Sequence, residues 1–302
     1  MLAVFEGLNW QPHVEVWLVV GAVIGFGIYT ARVIQPTMVR AGHAAITTGQ
    51  RVWFGFGVVV LWVSTDWPLH DLAEERLYVL HMVQHLLLTF VLPPAILLAT
   101  PTWLARLVLD SGKIGRWYVR VLCRPLVAGI LFNIAVALTH AAVLVNASVR
   151  IGVIHYLVHF VLVVLAFAMW MPVCGPLPER RMSLPVQMVF VFLMSVLPTI
   201  PAAFLTVADN PLYRGYDHEP RLWGVNVIQD QQAAGLVMKL VGGAYLWIII
   251  TVLFARWARR NEEADKAGVV VTERDLLAWD DIDAVDFDRL GRAPQDVVPP
   301  SR

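Results

Sequence analysis

Charge is what this sequence has least of: Asp, Glu, Lys and Arg make up 15% of its 302 residues, where a soluble domain carries about 25%. With 58% apolar residues and a mean hydropathy of +0.64, the chain lacks the polar groups to cover a water-facing surface. A soluble globular class is thereby excluded, and lipid is the expected solvent. Cysteine is nearly absent too. Cys123 and Cys174 are too few and too isolated for a disulfide framework. Met1 to Trp10 has no basic n-region, so a cleaved signal peptide is not expected. The sequence shows no internal repeat, phosphate-binding loop or nucleotide motif, and nothing in it points to nucleic acid.

What is present is a series of long apolar stretches. A membrane span takes roughly 20 mostly apolar residues at a rise of about 1.5 Å each. Seven stretches qualify: Val14–Ile34, Val52–Leu69, Leu77–Leu98, Pro125–Val145, Val153–Val173, Val186–Val207 and Ala233–Ala255. Pro198 and Pro201 predict a kink in the sixth. The expected fold class is therefore all-α: a polytopic membrane protein with seven transmembrane helices.

Orientation follows from the basic residues of the short loops. One side carries thirteen Lys or Arg, from Arg32 through Arg180 and Arg181 to Arg260. The other carries four, Arg76, Arg150, Arg214 and Arg221. The basic side is assigned to the cytoplasm, which puts the N-terminus outside and the C-terminus in the cytoplasm. The domain organisation expected is a transmembrane domain over 1–260 and an acidic, mostly disordered tail over 261–302. That tail holds eleven acidic against five basic residues. Within it, Thr272 and Asp275 resemble a helix start before Leu276, Leu277, Trp279, Ile282 and Val285.

The histidines gather at one depth. Of nine, five fall inside predicted spans, always in the outer half. His81 and His85 lie roughly 6 and 12 Å into the third span. His140 sits near the outer end of the fourth, and His155 and His159 open the fifth. His81/His85 and His155/His159 are both H-x-x-x-H pairs, which a helix stacks on one face. Such a pair can chelate one metal or face a matching pair on a neighbouring helix. A single intramembrane histidine is ordinarily a core residue satisfied by a carbonyl or hydroxyl. Two such pairs and a fifth histidine in one layer shift the reading towards a metal site.

The seventh span brings Met238 to the same layer, about 9 Å deep. Imidazole with thioether suits Cu(I), and imidazole alone suits copper or zinc. Ordinary packing is the competing role for Met238. The candidate ligands are therefore His81, His85, His140, His155, His159 and Met238. Asp230, Gln84 and Gln231 are candidate supporting groups. Asp230 can orient a ligand histidine through its second ring nitrogen or act as a helix N-terminal carboxylate. Cys123 and Cys174 map to the opposite border of the membrane, away from this layer.

Four functions fit such a layer: a copper-handling protein loaded from outside, a bis-histidine b-type cytochrome, a seven-helix metal-dependent membrane hydrolase, or a structural scaffold. The hydrolase needs a general base, and no Asp or Glu lies among the five histidines unless Asp66 or Asp230 reaches in.

Taken together, His81 to His85 with the leucines that follow, His140, His155 to Phe160, Trp170 to Pro172, and Asp230, Gln231, Ala234, Gly235 and Met238 resemble the CtaG family of cytochrome c oxidase assembly factors. The seven-helix kind is meant, not the single-span copper protein that shares the name. The likeness runs from about residue 10 to 255, in the same order and topology. Lys239 departs from it, standing where the family tends to have an aromatic residue, and the acidic tail lies beyond it. The resemblance implies a non-enzymatic role, with no catalytic residues, in maturing a haem–copper oxidase in the bacterial plasma membrane. The implied partners are the oxidase's catalytic subunit and a separate copper transporter or chaperone. Copper as the bound metal is the expectation from the histidines.

Overall fold

A computed structural model describes residues 10–217 and 222–266, apart from the side chain of Glu75. The tail helix expected near Thr272 to Val285, and most of Met1 to Trp10, lie outside the described residues. All regular structure among the described residues is helical.

Helix α1, Val14–Arg40, carries a π turn at Thr30–Ile34 just before Pro36. It packs along α2, Thr48–Thr65. A capping box starts α2: Gln50 N donates to Thr47 Oγ1 at 3.2 Å, and Thr47 N donates back to Gln50 Oε1 at 3.0 Å. The short α3, Leu69–Glu75, leads into α4, Tyr78–Ala99. Helices α5, Thr102–Leu109, and α6, Lys113–Leu122, follow, and α6 meets α7, Pro125–Thr139, at 88°. Then come α8, Ala142–Arg150; α9, Gly152–Cys174; α10, Leu184–Val207, broken at Pro198; and α11, Val227–Lys266.

Five of these, α1, α4, α9, α10 and α11, are long and apolar enough to cross a membrane, and the bent pair α6 and α7 makes a sixth if counted as one span. The molecule is therefore a membrane protein by its helices. The stretch that falls short of the expected seven is α2. It is eighteen residues long, and Gln50 and Arg51 open it before the apolar run starts at Val52. The expected fourth span also divides. Its helix stops at Thr139, Ala141 turns extended (φ −67°, ψ 127°) after His140, and α8 begins afresh at Ala142. The seventh starts earlier than expected, at Val227, under an Asn226/Gln229 capping box. It runs on to Lys266, so Asn261 to Lys266 are helical although the sequence placed them in the tail.

Helix α4 is the axis of the bundle. Buried positions make up 67% of its apolar window, against 11% in α1, and α2, α3, α9 and α11 all pack on it. Its sequence accounts for a local change in its winding. Proline has no N–H and crowds the carbonyl four residues back, so Pro93 and Pro94 release the carbonyls of Thr89 and Phe90. The helix relaxes there through a π turn, Leu87–Val91. Two partners from other helices take up the freed oxygens: Trp170 Nε1 donates to Thr89 O at 2.9 Å, and the Tyr245 hydroxyl donates to Phe90 O at 2.8 Å. In lipid such carbonyls cannot turn to water, so these two bonds tie α9 and α11 to α4. Phe90, Phe132, Met169, Trp170, Val191 and Leu246 close the core around them.

Candidate metal centre

At the end of the bundle where α4 begins, Asp230 of α11 is 1% exposed. It accepts from Tyr78 N at 2.7 Å and Val79 N at 2.9 Å. A carboxylate there satisfies two of the N–H groups a helix start leaves open and complements its dipole. One turn further on stands His81, and one turn beyond that His85, both buried. Thr89 Oγ1 donates to His85 O at 2.6 Å and tightens the same turns.

Helix α9 presents His155 and His159 to this face. The ring centroids of His81 and His85 are 4.5 Å apart, those of His85 and His159 4.7 Å, and those of His81 and His159 5.5 Å. One nitrogen from each of these three rings lies within 4.8 Å of the others. His81 Nδ1, His85 Nε2 and His159 Nε2 are all buried without a hydrogen-bond partner. Buried ring nitrogens without partners are costly, and a cation held among the three rings would take one nitrogen from each. The donor set fits copper or zinc.

The other predicted residues stand around this trio. The His155 ring lies tilted against His159, with centroids 4.3 Å apart and planes at 39°, but its Nε2 turns away to Glu74 Oε1 at 2.5 Å. His140 is held by Nδ1 against Val136 O at 2.6 Å, which leaves Nε2 facing Met82 Sδ at 3.3 Å. Its own carbonyl accepts from the Tyr213 hydroxyl at 2.8 Å. Met238 joins His85, His140 and Met82 around a cavity of about 40 Å³ on the inner side of the trio. That is room for one to three waters at most, far below the roughly 300–1,000 Å³ of a cofactor pocket. Asp230 binds backbone at the start of α4, as described above. Gln231 Oε1 accepts from Leu212 N at 2.8 Å, and Gln84 Nε2 donates to Ser64 O at 2.8 Å.

Residues 27–260 match the family model described as cytochrome c oxidase caa3 assembly factor. The chain belongs to that family. No curated protein and no solved structure matches it. The matched span begins inside α1, ends inside α11 and includes His81, His85, His140, His155 and His159.

Sequence reasoning missed a second ring of residues outside the trio. The carboxylate that reaches the histidines is Glu74 of α3; Asp66 is taken up by Trp17 and Trp62 Nε1, at 3.0 and 2.5 Å. His70 lies beside Glu74, and His13 Nε2 donates to Asp71 Oδ1 at 2.6 Å. Burial lowers the His70 pKa despite the neighbouring Glu74 charge. Burial works the same way on His13, but the bond to Asp71 and its charge outweigh it and the pKa is raised. The i,i+4 spacing of His70 and Glu74 was the legible signal.

Proposed function

We propose that this chain is a non-catalytic assembly factor of the bacterial plasma membrane that holds copper at His81, His85 and His159 and presents it to the catalytic subunit of a maturing haem–copper oxidase. The observation that carries the reading is the convergence of three imidazoles, one nitrogen of each within 4.8 Å of the others, in rings that each bury a nitrogen without a hydrogen-bond partner. Family membership supplies the oxidase. His140, with Met82 and Met238, offers thioether and imidazole donors next to the centre, suited to the softer Cu(I). His155 belongs to the same layer, through its contact with His159. Asp230, Gln84 and Gln231 support it by fixing the helices that carry the ligands.

In this reading α2 and α7 also cross the bilayer, giving seven crossings with the N-terminus outside and the C-terminus cytoplasmic. The histidines then open towards the outer face, where a separate copper transporter or chaperone can meet them. Copper is the cargo, passed by ligand exchange, so no bare ion is stranded in hydrocarbon. The closely packed imidazoles and the small cavity beside them leave no slot for a haem plane, which weighs against a b-type cytochrome.

The test is a deletion strain together with the purified protein. Oxidase subunits should be made but under-metallated, other membrane enzymes should be unaffected, and external copper should restore part of the activity. The purified chain should carry copper and show no Soret band, and His85→Ala with His159→Ala should lose the ion held by the three imidazoles while staying folded. A fully metallated, fully active oxidase in the deletion strain would overturn the proposal.

A further inference from the structure

Lys239 is the only charged residue of the apolar run Ala233–Ala255, and its side chain is exposed on the outside of the bundle. It stands in the middle of a π turn, Val237–Val241, a feature frequent at functional sites. Nζ donates to Thr199 Oγ1 of α10 at 2.6 Å. Among the described residues no carboxylate lies within ion-pair distance of it. An ammonium has three N–H groups, so two remain for another partner. Around it the surface is apolar: Leu236, Leu240 and Val241 of α11 and Val196, Leu197 and Ile200 of α10 are all exposed. A charge on such a face, against lipid, is costly and is ordinarily paired.

The same face has the shape to take a helix. Gly243 and Trp247 follow Lys239 at four-residue steps, on the same side of α11. A Cβ at Gly243 would meet nothing within 4 Å, so a neighbouring backbone can come close there. Trp247 stands exposed against Phe192 of α10, with ring centroids 6.0 Å apart, and marks the far end of the face. The lysine is also next to the histidine layer. Its chain neighbour Met238, and Pro198 beside Thr199, line the cavity of about 40 Å³ that His85 and His140 share. Anything held at Lys239 is therefore one helix wall away from the histidines.

We infer that the α10–α11 face around Lys239 docks a transmembrane helix of a partner protein that carries an Asp or Glu at the depth of the lysine. Such a carboxylate would accept from the two remaining N–H groups and end the exposure of the charge to lipid. A second copy of this chain is a poorer occupant, because a two-fold contact centred on this lysine sets ammonium against ammonium. That the partner is the maturing oxidase subunit rests on the function proposed above; the docking face itself does not.

The probe is a synthetic leucine-rich transmembrane helix with one Asp at the matching depth, added to the full chain in phosphatidylcholine vesicles and followed by energy transfer. It should associate about tenfold more tightly than the same helix with Leu in that place. Lys239→Met should remove the preference and Lys239→Arg should keep it, which guards against a variant that misfolds. An Asp helix bound no better than the Leu helix, or bound equally well by Lys239→Met, overturns the docking face. A preference abolished when anionic phosphatidylglycerol replaces the phosphatidylcholine would assign the lysine to lipid phosphate, which also overturns it. The measurement needs neither copper nor oxidase. Its failure leaves the proposed function standing, and a fully active oxidase in the deletion strain leaves the docking face standing.

Discussion

Replacing Asp230 by alanine should unfasten the start of α4, the helix on which the histidine layer is built. The carboxylate holds two backbone N–H groups, of Tyr78 and Val79, at 2.7 and 2.9 Å in a site where it is itself 1% exposed. An unsatisfied buried donor costs about 1–3 kcal/mol, and water has little access here. Two orphaned donors put Asp230→Ala at about 4 kcal/mol of destabilisation. Asparagine keeps one acceptor oxygen but turns its amide hydrogens on the second N–H. Asp230→Asn should therefore cost about half as much, about 2 kcal/mol, since one donor is still satisfied. Unfolding of the full chain in detergent, followed by tryptophan fluorescence, reads both values. The copper content of each variant under folding conditions shows whether loosening this helix start also opens the trio one turn below. An alanine variant within about 0.5 kcal/mol of the unsubstituted protein would refute the reasoning, because it would mean that other groups already satisfy those donors. An asparagine variant as damaging as alanine would show that the charge, not the second acceptor, carries the effect.

Two further outcomes follow from packing and burial. A methyl group at Gly235 would meet Thr206 Oγ1 at 2.5 Å and the Ala202 carbonyl at 2.8 Å, so Gly235→Ala should cost about 1–3 kcal/mol; at Gly57 the first obstacle is the movable Ile96 Cδ1 at 2.6 Å, and the same change should stay within about 1 kcal/mol of neutral by the same unfolding measurement. Burial pushes the Cys123 thiol up to about 12, against the opposing pull of Tyr118 and Arg180, so alkylation of the folded protein at pH 8 should be slow and should become fast only on unfolding, whereas rapid native labelling would contradict the buried placement.

The helical columns were legible because they depend on local composition. Apolar runs of span length, and the prolines at 93, 94 and 198, are properties of neighbouring residues, and the π turn of α4 and the break of α10 appear where those prolines stand. Helix ends were less legible. At the stop after Thr139 the His140 ring takes Val136 O, its carbonyl takes Tyr213, and Ala141 turns extended; that tyrosine is far along the chain. The early start at Val227 is local by comparison: Asn226 with Gln229 is a capping box written in the sequence, hidden because the apolar run begins only at Ala233.

By itself, then, the sequence determined the solvent, the helical class, the gathering of five histidines at one end and the family, all carried by composition, i,i+4 spacing and short motifs. Only the tertiary structure decided which imidazoles converge. Spacing placed His155 with His159, yet packing against α3 turns His155 to Glu74 and leaves His81, His85 and His159 as the trio. Spacing left Asp230 open to either role, and the approach of α11 to the first turn of α4 sets its oxygens on Tyr78 and Val79. The physical reason is common to both. Within one helix, 3.6 residues per turn fixes which side chains share a face. Between helices, in lipid, position depends on close packing and a few buried hydrogen bonds, and those partners lie scores of residues apart.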